Sequence, residues 1–122
     1  MGIIKSFTDL NAWKEAHSLD LFIYNITKSF PKDEQYSLTN QIRRASVSVS
    51  SNIAEGFSRR SSLEKRQFFH QALGSLTEVQ NQLLIAKDIG YIKQKDFTTI
   101  AEQTIIVSKL INSLIKYLNS HT

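Results

Sequence analysis

Four stretches of this 122-residue chain repeat their apolar residues at steps of three and four, and a single proline interrupts the sequence. That period lines one face of an α-helix and is out of phase with the two-residue repeat of a strand. The first stripe is Leu10, Trp13, Ala16, Leu19, Ile23 and Ile26. Thr8 or Asp9 is expected to cap this helix, which should run to Ser29. Pro31 ends it, because the residue before a proline is driven out of the helical region. Phe22 and Tyr24 widen the apolar surface, as suits a helix contacted on more than one side.

In the second stretch Leu38, Ile42, Ala45, Val49 and Ile53 form the stripe, and Gly56 is expected to stop the helix. Most of its other positions are small (Ser46, Ser48, Ser50, Ser51 and Ala54), which predicts a helix that its neighbours approach closely. Ser61 with Glu64 has the spacing of a capping box and opens the third helix. Phe69, Ala72, Leu76, Val79, Leu83 and Ala86 follow, and Gly90 is placed to cap the C-terminus. Gly74 lies inside that helix. An interior glycine costs about 1 kcal/mol relative to alanine, so close backbone contact is expected to compensate.

The fourth stripe is Phe97, Ile100, Thr104, Val107, Ile111, Leu114 and Leu118. Four such helices with short connections predict an all-α fold, an antiparallel up-down four-helix bundle, as one domain over residues 1–122. Leu73, Leu84, Ile105, Ile106, Leu110 and Ile115 fall off the main stripes. That surplus predicts a second buried face in a homo-oligomer.

Composition narrows the classes further. Four glycines are too few for a β-sandwich or barrel that turns every ten residues, and 41% apolar residues supply one core. Cysteine is absent, so disulfides and thiolate metal sites are excluded and a reducing cytoplasm is the expected location. The N-terminal residues lack the basic, apolar and small-residue succession of a signal peptide, and no apolar run approaches the length of a membrane span. No membrane partner is expected.

The search for chemistry returns little. Di-iron bundles use Glu-x-x-His pairs, but the residues three places after the glutamates are Ser18, Ser37, Ser58, Gln67, Asn81 and Ile105. His17, His70 and His121 form no i, i+4 pair and are expected at the surface. No phosphate-binding glycine loop or nucleophile elbow occurs. The expectation is a non-enzymatic protein without cofactor or metal.

Charge is more telling. All five arginines, Arg43, Arg44, Arg59, Arg60 and Arg66, lie in one window with Lys65, against Glu55 and Glu64. Outside it nine lysines balance nine acidic residues, so the window holds the whole net charge of +4. The planar arginine fork matches phosphate oxygens, which makes Arg43, Arg59, Arg60, Lys65 and Arg66 candidates for binding RNA or DNA. Pairing with carboxylates across helix or subunit contacts is the alternative. Phe57 and Phe68 offer little for stacking, and Phe69 and Trp13 are expected to be packing anchors.

Gln41, Arg44, Ser48, Asn52 and Glu55 fall within about 80° on a helical wheel, beside the apolar stripe of the second helix. They form either a ligand or RNA contact line or a hydrogen-bonded seam that fixes helix or subunit register.

The run Gln41-Ile42-Arg43-Arg44-Ala45-Ser46-Val47-Ser48-Val49-Ser50-Ser51-Asn52-Ile53-Ala54-Glu55-Gly56 resembles the four-helix-bundle family of 23S ribosomal RNA intervening-sequence proteins. Phe7 through Trp13 with Ala16, Phe30-Pro31, Glu34 with Tyr36 and Leu38, and Ala72-Leu73-Gly74-Ser75-Leu76 with Glu78 resemble it too. Ser37 departs from a glycine expected there. The resemblance implies a homo-oligomer, a five-membered ring. It extends to the accessory protein of diversity-generating retroelements, which implies nucleic acid and a reverse transcriptase as partners of a basic surface. It supplies no catalytic residues. A protein-interaction scaffold without a nucleic-acid role is the competing expectation.

Overall fold

The computed structural model describes residues 3–121; Met1, Gly2 and Thr122 of the expected domain lie outside them. The first turn is a short 3-10 helix, Phe7–Asp9, which takes in both Thr8 and Asp9, the expected caps, and is capped two residues before Thr8. Ser6 is the N-cap: its hydroxyl accepts from the Thr8 N–H at 3.3 Å, and the Asp9 carboxylate accepts from the backbone N–H groups of Lys5 and Ser6. Helix α1 then spans Asn11–Thr27, ending two residues short of Ser29. Pro31 leads into a second 3-10 turn, Lys32–Glu34.

Helix α2 spans Leu38–Ser58, α3 Ser62–Asp88 and α4 Gln94–Ser120. Among the described residues there is no strand. Gly56 does not stop α2, which continues for two more residues with Gly56 buried inside it. A Cβ there would sit 2.6 Å from Cε1 of Phe69, so the glycine makes room for a core ring on α3. Gly74 corrects the expectation in the opposite sense: no atom lies within 4 Å of where its Cβ would be. Gly90 ends α3 as predicted, with φ +88°. The Tyr91 N–H reaches the Ala86 carbonyl at 2.8 Å and the Gly90 N–H reaches Lys87 at 3.0 Å, the paired bonds of a Schellman motif. At the other end of α3, Ser61 Oγ accepts from the Glu64 N–H at 3.1 Å, and the Glu64 carboxylate accepts from the Ser61 hydroxyl at 3.2 Å in place of the reciprocal backbone N–H.

Cross-helix contacts give the topology. Asp20 meets Ser46 and Ser50 whereas Thr27 meets Arg43, so residue numbers rise along α1 as they fall along α2. Gly56 lies against Phe69 and Ser48 against Ser75, which makes α3 antiparallel to α2. Gln80 bonds Thr104 and Lys87 lies over Phe97, so α4 runs back along α3. Gln103 reaches Glu15 to close α4 against α1. The result is an up-down bundle in which each helix touches two neighbours.

The stripes converge on one core, where Leu19, Ile23, Ile42, Ile53, Leu76, Leu83 and Ile111 are all but completely buried. Phe69 belongs to it, and Trp13 packs at its edge. Ile115, read as surplus, is a core residue, and Leu73 and Leu110 border the core. Leu84, Ile105 and Ile106 stay 45–50% exposed.

Candidate nucleic-acid interface

The arginine window spreads over three surfaces, because adjacent residues on a helix point about 100° apart. Arg43 turns toward α1. Its Nε donates to Thr27 Oγ1 at 2.8 Å, and its guanidinium lies 4.7 Å from the centre of the Tyr24 ring. Arg44, about 100° further round the helix, borders one cleft with Arg43 and Tyr24 and another with Ser75 and Glu78 of α3, exposed and without a hydrogen bond or ion pair to any described residue.

The turn between α2 and α3 gathers the remaining charge. Arg59 pairs with Glu55 at 3.0 Å and lies over Phe68, 4.6 Å from the ring centre. Arg60 is exposed and makes no contact of that kind with the described residues. Arg66, in the first turns of α3, is half-buried and engaged within the protein. Lys65 is committed to a structural task. Its Nζ donates to the carbonyls of Phe57 at 2.7 Å and Gly56 at 3.4 Å, satisfying the C-terminal end of α2 with a positive charge where the helix dipole favours one. Burial of the ammonium holds its pKa below the usual lysine range.

The line of polar residues on α2 breaks into pieces. Asn52 donates to the Ser48 carbonyl at 2.8 Å and to its hydroxyl at 3.1 Å, and Ser48 shares a 2.8 Å hydrogen bond with Ser75 on α3. That part is a seam between helices. Glu55 is taken by Arg59, while Gln41 and Arg44 open on solvent.

Sequence reasoning missed Asp20, a carboxylate only 9% exposed between α1 and α2. Ser46 and Ser50 donate to its two oxygens, both at 2.6 Å. Burial raises its pKa above the usual carboxylate range, opposed by the two hydroxyl bonds and by the nearby His17. Two serines one turn apart on α2 were the available signal; nothing local marked their partner. A second unforeseen contact is the Tyr91 hydroxyl donating to Glu34 at 2.8 Å, which ties the α3–α4 connection to the turn after α1. That bond lowers the Glu34 pKa and raises that of Tyr91.

His17 stacks on Trp13 and His121 on Tyr117, and all three histidines are exposed. Among the described residues no three histidines or carboxylates gather as a metal site, and no helix is long and apolar enough to cross a membrane.

The fold is shared with a solved structure. A crystal structure of a protein of unknown function from the S23 ribosomal protein family of Bacteroides thetaiotaomicron superposes with a TM-score of 0.80 at 22% identity. The alignment covers 86% of this chain and 95% of that one. At that identity the likeness concerns the fold. No functionally curated protein matches the chain. Residues 8–113, most of α1 to α4, match the model of the 23S rRNA-intervening sequence protein family, and the chain belongs to that family.

Proposed function

We infer that this protein is a non-enzymatic, self-associating bundle that binds structured RNA or DNA through the turn between α2 and α3. The observation that carries this is Arg60: exposed, without a hydrogen bond or ion pair to any described residue, and set beside Arg59 in the window that holds the whole net charge. Arg66 adds to the local field. Lys65 shapes the surface from beneath, whereas Arg43 lies toward the other end of α2, against α1. In an oligomer the field would be repeated with each copy and strengthen long-range attraction for phosphate.

A salt titration with labelled RNA and DNA tests it. Affinity should fall log-linearly with salt. Replacing Arg59 and Arg60 by alanine should weaken binding across sequences and flatten the duplex slope by up to about two. Equal affinity and slope in the double variant would remove the turn from consideration.

A scaffold role is the second reading, favoured by the apolar groove between α3 and α4. The groove, about 440 Å³ in volume, is lined in part by Leu84, Phe97, Ala101 and Ile105. Covering that surface by another copy accounts for exposed Leu84 and Ile105, and a five-membered ring fits the family likeness. Light scattering of the parent and of Leu84→Glu should show an assembly that the variant loses. A monomeric parent would end the self-association reading. Assembly without any nucleic-acid binding would leave the scaffold alone, with a protein partner to be found.

A further inference from the structure

A second polar surface lies on the outer side of α2 and α3, roughly 22 Å from Arg59 along the α2 axis at 1.5 Å per residue. It is a cleft of about 430 Å³, within the range of small-molecule sites. Gln82 lines it, 9% exposed, and its Oε1 is buried with no hydrogen-bond partner among the described residues. Buried acceptors are almost always satisfied; this one is covered by its surroundings, and turning the Gln82 amide over about its last torsion presents it to a donor in the cleft. Glu78 lines the same cleft one turn earlier on α3 and presents a second acceptor on the same helix face.

Across from them stands Arg44, exposed and without a hydrogen bond or ion pair to any described residue, Glu78 included. Ser48 and Ser75, joined at 2.8 Å, line the cleft between the two helices. The Tyr36 ring, 88% exposed, stands at the rim. The cleft therefore offers a donor fork for an anion, adjacent acceptors for N–H groups, and an exposed aromatic face.

We propose that this cleft binds a guanine nucleotide, with phosphate on Arg44, the base against Tyr36, and the base edge donating to Glu78 and Gln82. Guanine presents two N–H donors side by side, N1–H and N2–H2, matched to two neighbouring acceptors. Uracil presents one N–H flanked by carbonyls that the same acceptors repel. Inorganic phosphate engages Arg44 alone. As a free mononucleotide the ligand stands without the function inferred above; as an unpaired nucleotide of an RNA it extends that function from the turn along α2.

The test is calorimetric titration of the full chain with GMP, UMP and inorganic phosphate, and with a uridine heptamer with or without one central guanosine. GMP should bind at least tenfold more tightly than UMP or phosphate. Arg44→Ala and Gln82→Leu should each weaken it tenfold or more. Gln82→Leu should melt no lower than the parent, since it removes a stranded acceptor, and the exposed Glu78→Gln serves as an independent variant. Binding of the guanosine heptamer alone, lost in the same variants, places the nucleotide within RNA. Absence of both, or binding that survives Arg44→Ala and Gln82→Leu, overturns the assignment. Arg59 and Arg60 are judged separately by the salt slope, so either site can fail without the other.

Discussion

Arg43 Nε and Thr27 Oγ1 are 2.8 Å apart, joining α2 to α1 at a point where the Thr27 hydroxyl also donates to the Ile23 carbonyl at 2.7 Å. The guanidinium over Tyr24 completes the contact, so this arginine works as a strut between helices. Arg43→Ala should lower unfolding free energy by about 1–2 kcal/mol, the sum of a hydrogen bond and a cation–π contact. Urea denaturation measures the loss. The nucleic-acid salt slope should move less than in Arg60→Ala; an equal change would return Arg43 to the contact surface.

Two glycines inside helices should respond oppositely to alanine. Gly56→Ala places a methyl against Phe69 and Phe68, and overpacking of about 1–3 kcal/mol outweighs the helix-propensity gain of about 1 kcal/mol. Gly74→Ala meets nothing within the protomer and should stabilise it by close to 1 kcal/mol. Thermal melts of the two variants should shift in opposite directions. A destabilised Gly74→Ala with intact helicity would instead reveal a neighbouring copy at that position.

Asp20 sets a pH dependence with a definite sign. Its folded pKa is raised by burial, so between the unfolded and folded values the native state holds more protons than the unfolded chain. Its contribution to stability therefore declines as pH rises through that window and is level above it. Asp20→Asn should remove this decline. Urea midpoints of parent and variant, followed from pH 4 to 8, should diverge in the variant's favour as pH rises; a constant difference would mean that folding does not raise the Asp20 pKa. Glu34 acts with the opposite sign, since its depressed pKa supplies stability that is lost on acidification, so the comparison must be made between the two proteins.

Lys65→Met should destabilise the domain by about 1–2 kcal/mol, because the Phe57 and Gly56 carbonyls lose a charged donor at the end of α2. Helical fraying at residues 56–58, read by amide exchange, is the specific signature. Unaltered exchange there would show that water replaces the ammonium without loss.

The bundle was legible because burial imposes a period on sequence: Ile42, Val49, Ile53, Leu76, Val79 and Leu83 had to recur at helical spacing to reach one core. Helix ends were less legible. Gly90 carries a positive φ and stops α3, whereas Gly56 has the same composition signal but serves the Phe69 ring, a requirement set on another helix. The candidate site was legible as charge and illegible as geometry. Arg43 and Arg44 are neighbours in sequence, yet Arg43 braces α1 while Arg44 is exposed and reaches the cleft against α3. Asp20 looked like any solvent-facing acid, since its hydroxyl partners come 26 and 30 residues later.

The up-down order also decides how the molecule can be handled. Leu10 of the first turns, Phe57 and Lys65 flanking the arginine turn, and Leu118 of the last helix all line one cleft at the same end of the bundle. A fusion partner, affinity tag or surface linker joined ahead of α1 or after α4 would thus emerge at the same end as Arg60 and shade it. A linker inserted at the opposite pole, in the exposed turn of Lys32 and Asp33 between α1 and α2, would leave that end open and make a false negative in a binding assay avoidable.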